Sequence, residues 1–174
     1  MAVREILLLG NPVLRTRCKR VEDFAAQELG RTLTDLRDTL RDFRAKHGFG
    51  RGIAAPQIGV TGRVIFIEID TPMALINPVI VRRSRQMMTL WDDCFSFPDI
   101  LVKVKRHNAV TVGYQDADGR KLALEAAGAL SELLQHEIDH INGVLAIDRA
   151  IDSRHIVLRS EWMKLKPALR QLAL

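Results

Sequence analysis

Between residues 25 and 45 the apolar positions Leu29, Leu33, Leu36, Leu40 and Phe43 recur three or four apart, with Arg and Asp between them. That spacing predicts an amphipathic helix ending near His47-Gly48, with Gly48 a plain helix stop. Before it, ILLL (6–9) reads as a short strand broken by Asn11-Pro12. After it, the glycine-rich GFGRGIAAPQIGVTG (48–62) reads as a loop feeding a buried strand, VIFIEI (64–69). In the next apolar stretch, LINPVIV (75–81), Asn77-Pro78 predicts an interruption. ILVKVK (100–105) alternates, so Ile100, Val102 and Val104 face one way and Leu101, Lys103 and Lys105 the other. AVTVGY and KLALEA flank the turn DADG (116–119) and read as a hairpin. The helical period returns over 128–141, closed by Asn142-Gly143. Residues 154–174 read as a last helix disturbed by Pro167. The expected class is α+β, with antiparallel sheets packed around a central helix, an N-terminal amphipathic helix and a C-terminal helix.

The 174 residues suit one domain, 1–174, with its own core, and neither repeats nor a linker break them. Apolar residues at 47% and charged residues at 27% exclude long disorder. The run opening MAVREILLLG is too short for a signal peptide, and no stretch reaches the roughly 20 apolar residues of a membrane span, so a cytoplasmic protein is expected. Cys18 sits among cations and Cys94 among anions; the expected compartment gives no reason for a disulfide between them. A net charge of +5 comes with the basic clusters RTRCKR (15–20), RRSR (82–85) and KVKRH (103–107). With only 5% aromatic residues, specific DNA binding is not expected; weak contact with RNA is the most this charge supports.

One motif changes the picture. Gln135-His136-Glu137-Ile138-Asp139-His140 puts His136 and His140 four apart, one above the other on a helix, where both can ligate one cation. Glu137 falls inside the apolar stripe Leu130, Leu133, Leu134, Ile138 and Ile141. A buried carboxylate there needs a partner or a raised pKa, and a proton-transfer role beside a metal satisfies that. Asp139, on the other side, should be solvated or held by a structural partner. A third protein ligand is required. Glu161 and Cys94 both qualify, Glu161 giving a general zinc peptidase of the HExxH type.

GRGIAAPQ (50–57), DDCFS (92–96) and QHEIDHINGVLAIDR (135–149), together with ILLLGNPVLRTRCKRVEDF (6–24), resemble the peptide deformylase family. The family's motifs run Gly-x-Gly-aliphatic-Ala-Ala-x-Gln, Glu-Gly-Cys-Leu-Ser and Gln-His-Glu-x-x-His. The resemblance implies Cys94, His136 and His140 as metal ligands and Glu137 as general base, then acid. It implies Gln57 and the backbone N–H of Phe95 as oxyanion donors, with Gly50 and Gly52 letting backbone and substrate approach closely. It implies one divalent ion, iron(II) first, with zinc, nickel or cobalt admitted. The expected substrates are N-formylated nascent peptides, the expected reaction is removal of the formyl group, and weak ribosome association through the basic surface is allowed. A metal-binding relative that no longer catalyses is the alternative.

The chain departs from the pattern at five positions. Asp92 stands for Glu and is expected to pair with Arg106. Asp93 stands for Gly beside the metal ligand, and should point away from the face that carries Cys94. Phe95 replaces Leu, which a backbone role tolerates. Arg51 and Glu132 occupy usually apolar positions near the pocket for the substrate's methionine side chain, and predict an Arg51–Glu132 ion pair and a weakened preference for formyl-methionine.

Overall fold

Strand β2 (Val64–Glu68) shows why its sequence is apolar without alternation. Ile65 and Ile67 face a core shared with the second helix, while Val64 and Phe66 face a core shared with the first. The computed structural model describes residues 3–165. Helix α1 (Gln27–His47) buries Leu29, Leu36, Leu40 and Phe43 and ends at Gly48, whose left-handed φ of 76° makes it the stop expected.

The glycine-rich segment holds more structure than a loop: a short strand β1 (Gly52–Ala54), then a 3-10 turn (Ala55–Ile58). Strand β3 (Pro72–Arg83) runs through Asn77-Pro78 instead of ending there. The ladder slips between Ile76 and Val79, a bulge that takes Asn77 to φ 53°. The strain is held by side-chain bonds: Asn77 Oδ1 accepts from Val21 N at 2.8 Å, and Nδ2 donates to Val21 O at 2.8 Å and Gln115 Oε1 at 3.0 Å. Strand β4 (Met87–Asp93) pairs with β5 (Ile100–His107), and β6 (Ala109–Gln115) with β7 (Lys121–Ala127) as the expected hairpin. All ladders are antiparallel, in a five-stranded sheet β1-β2-β3-β6-β7 and a three-stranded sheet completed by β8 (Ile156–Leu158).

Helix α2 (Gly128–Ile141) lies between the sheets, and every residue from Ser131 to Ile141 is buried. Its apolar face packs on Ala54, Ile65, Leu75, Val110 and Val112. Its polar face is buried too, because β5 supplies polar partners: Gln135 bonds both the N–H and the C=O of His107, and Asp139 meets Arg106.

Two readings at the ends need correction. Residues 6–9 form no strand; Leu7 N and Leu9 N donate to Gln57 O and Ser96 O, in two different segments, so no ladder forms. The C-terminal segment makes β8 before a short helix, α3 (Arg159–Lys164), while Pro167 lies outside the described residues.

Candidate active site

Cys94 follows the last residue of β4, and His136 and His140 project from α2. Cys94 Sγ lies 3.3 Å from His140 Nε2, which lies 3.1 Å from His136 Nε2. All three side chains are buried. A tetrahedral ion with bonds of roughly 2.0–2.3 Å holds its ligands roughly 3.3–3.7 Å apart, so one cation fits with little movement. Glu161 is elsewhere: it lies on the surface, paired with Lys164 at 2.6 Å, and the peptidase reading that needed it as a ligand loses its third donor.

His136 Nδ1 faces Asp92 Oδ1 at 2.9 Å, close enough for electrostatic attraction though not aligned as a hydrogen bond. That contact leaves Nε2 turned toward Cys94 and His140. Asp92, His136 and Glu132 form a second cluster of potential ligands. Its carboxylates already hold cations, since Arg106 Nη2 donates to Asp92 Oδ2 at 3.0 Å and Arg51 Nη2 to Glu132 Oε2 at 2.5 Å. The Cys94 cluster has no such partner, and it is the better cation site.

Arg106 ties the second β-sheet to the helix. Buried between Asp92 and Asp139, it donates to both, and Arg149 Nη2 adds a bond to Asp139 Oδ1 at 2.8 Å. Asp139 thus has the structural partner expected. Burial acts against the Asp92 anion, but His136 and Arg106 outweigh it and hold Asp92 well below the usual carboxylate range. For His136 burial acts downward, yet Asp92 and Cys94 raise it well above the usual imidazole range; a cation held by this residue would replace that proton. His140 is driven down, first by burial and then by His136, so it is neutral and able to ligate.

Glu137 is 3% exposed, and its Oε2 is buried without a hydrogen-bond partner. Burial pushes its carboxyl up to about 7, aided by Glu132 and Asp92. An orphaned carboxylate oxygen beside two imidazoles and a thiol is the donor environment that a cation and its water would complete. Gln57 has its amide orientation fixed: Oε1 accepts from Ala54 N at 2.9 Å, leaving Nε2 toward Ser96 Oγ at 3.3 Å and Cys94 Sγ at 3.7 Å.

These groups open on a cavity of about 570 Å³ whose lining includes Phe49, Gly50, Gln57, Cys94, His136 and Glu137. Both glycines of the 50–52 segment are dictated by close approach. Gly50 has φ 129°, and a Cβ there would come within 2.6 Å of Phe95 Cζ; at Gly52 a Cβ would come within 2.8 Å of Glu137 Oε1. Phe95 packs its ring on Phe43, centroids 3.8 Å apart. Arg51 and Glu132 form the expected ion pair in the cavity wall, and Arg51 Nη1 also donates to Ala129 O at 3.2 Å. Asp93 lines the same cavity, with its carboxylate paired to Arg159 at 3.0 Å.

A family model described as polypeptide deformylase matches residues 3–155. The chain belongs to the peptide deformylase family. It is 39% identical over 153 residues to a peptide deformylase of Dictyoglomus thermophilum, covering 86% of this chain and 94% of that one. With one of Thermotoga neapolitana it shares 36% over 166 residues, covering 95% and 98%. The crystal structure of a peptide deformylase from Thermotoga maritima superposes with a TM-score of 0.80 at 35% identity, over 87% of this chain and all (100%) of that one. One from Synechococcus elongatus, in complex with actinonin, gives 0.79 at 36%, over 86% and 80%. As a family member the chain is a metal-dependent hydrolase that removes the N-formyl group from newly made polypeptides. No helix among the described residues is long and apolar enough to cross a membrane.

Sequence reasoning missed the parts that hold this deformylase site in place. Gln135 carried no assigned role, although it anchors α2 to the end of β5. Arg159 lies in the tail, where no periodicity or motif marks it.

Proposed function

We propose that the chain, as one catalytic domain over 1–174, deformylates nascent peptides in the cytoplasm with Cys94, His136 and His140 holding a single iron(II) ion. The carrying observation is that one ligand atom from each of these three residues lies within 4.8 Å of the others, and that Cys94 and His136 line a cavity shared with Glu137 and Gln57. Two imidazoles and a thiolate also admit zinc, nickel or cobalt. When bound, the ion supplies a water nucleophile near neutral pH and polarises the formyl carbonyl. Glu137 takes the proton from the attacking water and returns it to the departing amine, releasing formate. Gln57 Nε2 donates to the oxygen that becomes negative, with the Phe95 backbone N–H as second donor.

Substrate preference follows from the cavity wall. A methionine side chain entering beside Arg51 and Glu132 meets an ion pair whose acid is 6% exposed. Covering or breaking that pair costs desolvation that an apolar wall does not. Formyl-methionine peptides should therefore lose their usual advantage over other formyl-peptides. The test is formate release from a panel of formyl-peptides by enzyme loaded anaerobically with iron or nickel. Formate from several peptides, without a methionine advantage, is expected. Metal content with no formate from any peptide would refute catalysis, and a clear methionine advantage would refute the role of the pair.

Weak ribosome association is proposed for the opposite side of α2. There Arg17 and Arg20 from the first basic cluster, Arg83 from the second, and Arg63 just before β2 converge on a cavity of about 390 Å³. Among the described residues none of the four pairs with a carboxylate. Co-sedimentation with ribosomes should weaken with added salt and with Arg20→Ala plus Arg83→Ala. Unchanged sedimentation in the double variant would refute this surface.

A further inference from the structure

Asp93 sets a negative charge next to Cys94, and Arg159 answers it from 66 residues further along the chain. Arg159 begins α3 and reaches three separate places. Its Nη2 donates to Asp93 Oδ2 at 3.0 Å, and its Nε to Pro98 O at 2.8 Å. Its backbone N–H donates to Asp99 O at 2.7 Å. Its guanidinium lies 4.5 Å from the centre of the Phe49 ring, within cation–π range. Phe49 in turn packs edge-on against Phe95, centroids 6.2 Å apart. Phe49 and Asp93 both line the large cavity, from two different segments of the chain. One side chain therefore ties together the wall that carries Cys94 and the wall that carries Gly50, Arg51 and Gly52.

We propose that Arg159 is a positioning residue of the active site, and that Asp93 and Arg159 work as one unit that keeps the cavity mouth electrically neutral toward the peptide. The contact with Phe49 fixes the loop side of the mouth, and the contact with Asp93 cancels a charge that would otherwise face the incoming chain. This rests on the reading that the cavity receives the formyl-peptide. Removing Arg159 leaves Asp93 as an uncompensated anion, which favours peptides with basic residues after the first and disfavours acidic ones. Removing only the charge of Asp93 leaves an uncompensated cation and reverses the preference. A unit charge felt across roughly 8 Å of partly solvated space changes binding by about fivefold.

The test compares the full-length, metal-loaded enzyme with Asp93→Asn, Arg159→Gln and the double variant. Two matched formyl-peptides, one with lysine and one with glutamate at the second position, are used for kcat/KM. Calorimetric Kd values for the corresponding deformylated products are measured alongside, so that recognition is read even where turnover is lost. Arg159→Gln is expected to shift the lysine-to-glutamate ratio about fivefold toward lysine, and Asp93→Asn about fivefold toward glutamate, with the double variant back near the parent. Asp93→Asn nearly preserves shape, so its sign survives even if Arg159→Gln folds poorly. Equal loss on both peptides, or a shift of the same sign in both single variants, would overturn the proposal and leave Arg159 a structural tether. Absent formate with the expected opposite shifts in product affinity would instead refute catalysis and leave the mouth as described.

Discussion

Gly52→Ala is the sharpest probe of how closely the chain is built around Glu137. Gly52 lies in β1 opposite Ile67, and its φ lies outside the left-handed region, so alanine suits the backbone itself. The new Cβ would stand 2.8 Å from Glu137 Oε1 and 3.0 Å from Leu133 Cδ1, where ordinary contact begins at 3.4 Å. Glu137 must retreat by about 0.6 Å, the difference between 3.4 and 2.8 Å, and Leu133 by less. Misplacement of a reacting group by about 1 Å costs on the order of a hundredfold, so this shift should lower kcat roughly tenfold, about 1.4 kcal/mol of barrier. The overpacking itself should destabilise by about 1–3 kcal/mol. Formate release gives kcat and KM, and elemental analysis checks that metal is retained. A kcat within about twofold of the parent, at full metal content, would refute the close approach and with it the placement of Glu137.

Cys94→Ala should weaken metal retention by more than about a hundredfold, since even partners of ligands are worth 10–100-fold, whereas Glu161→Ala should leave metal content unchanged; the reverse result in elemental analysis would revive the peptidase reading. Arg106→Leu leaves Asp92 and Asp139 as buried anions short of a cation, and should cost about 3–5 kcal/mol in denaturant unfolding; a loss under about 1 kcal/mol would show the pairs to be marginal. In metal-free protein, Glu137 has a folded pKa of about 7 against a usual 4.5, so the folded state binds its proton more tightly. Its stabilising effect is complete below 4.5 and lost as pH rises through about 7, by on the order of 3 kcal/mol. Glu137→Gln should therefore gain on the parent as pH rises from 4 to 8, and parallel stability curves would count against the burial argument.

Periodicity disclosed the elements whose neighbours are apolar and local. Helix α1 and the β6–β7 hairpin were legible because their own residues carry the pattern. Asn77-Pro78 misled because a bulge, supported by Val21 and Gln115 from distant segments, lets a strand absorb a residue that cannot donate to the ladder. Helix α2 showed its apolar stripe in the sequence but not its full burial, because a polar face reads as exposed until a second sheet brings Arg106 and His107 against it. The approach of His136 to His140 was legible from their four-residue spacing. The choice of Cys94 over Glu161 was legible only through the family resemblance, since spacing alone does not say which distant strand ends beside α2. The Arg51–Glu132 and Asp92–Arg106 pairs could be anticipated because opposite charges stood at positions that would otherwise be apolar or unpaired. Asp93–Arg159 could not, because nothing in the tail distinguishes one arginine from the next.

The enclosure of α2 also bears on how a cation comes and goes. Cys94 and His140 are each 1% exposed and His136 5%, and of the three Cys94 and His136 line the large cavity. With the ion and the peptide placed as proposed, loading, exchange and loss of the ion would use the same doorway as the peptide. A long-lived ligand in that doorway acts as a stopper: it slows extraction by a chelator without adding a single bond to the metal. Metal retention in a working enzyme then depends on how often the cavity stands empty as well as on the strength of three donor atoms.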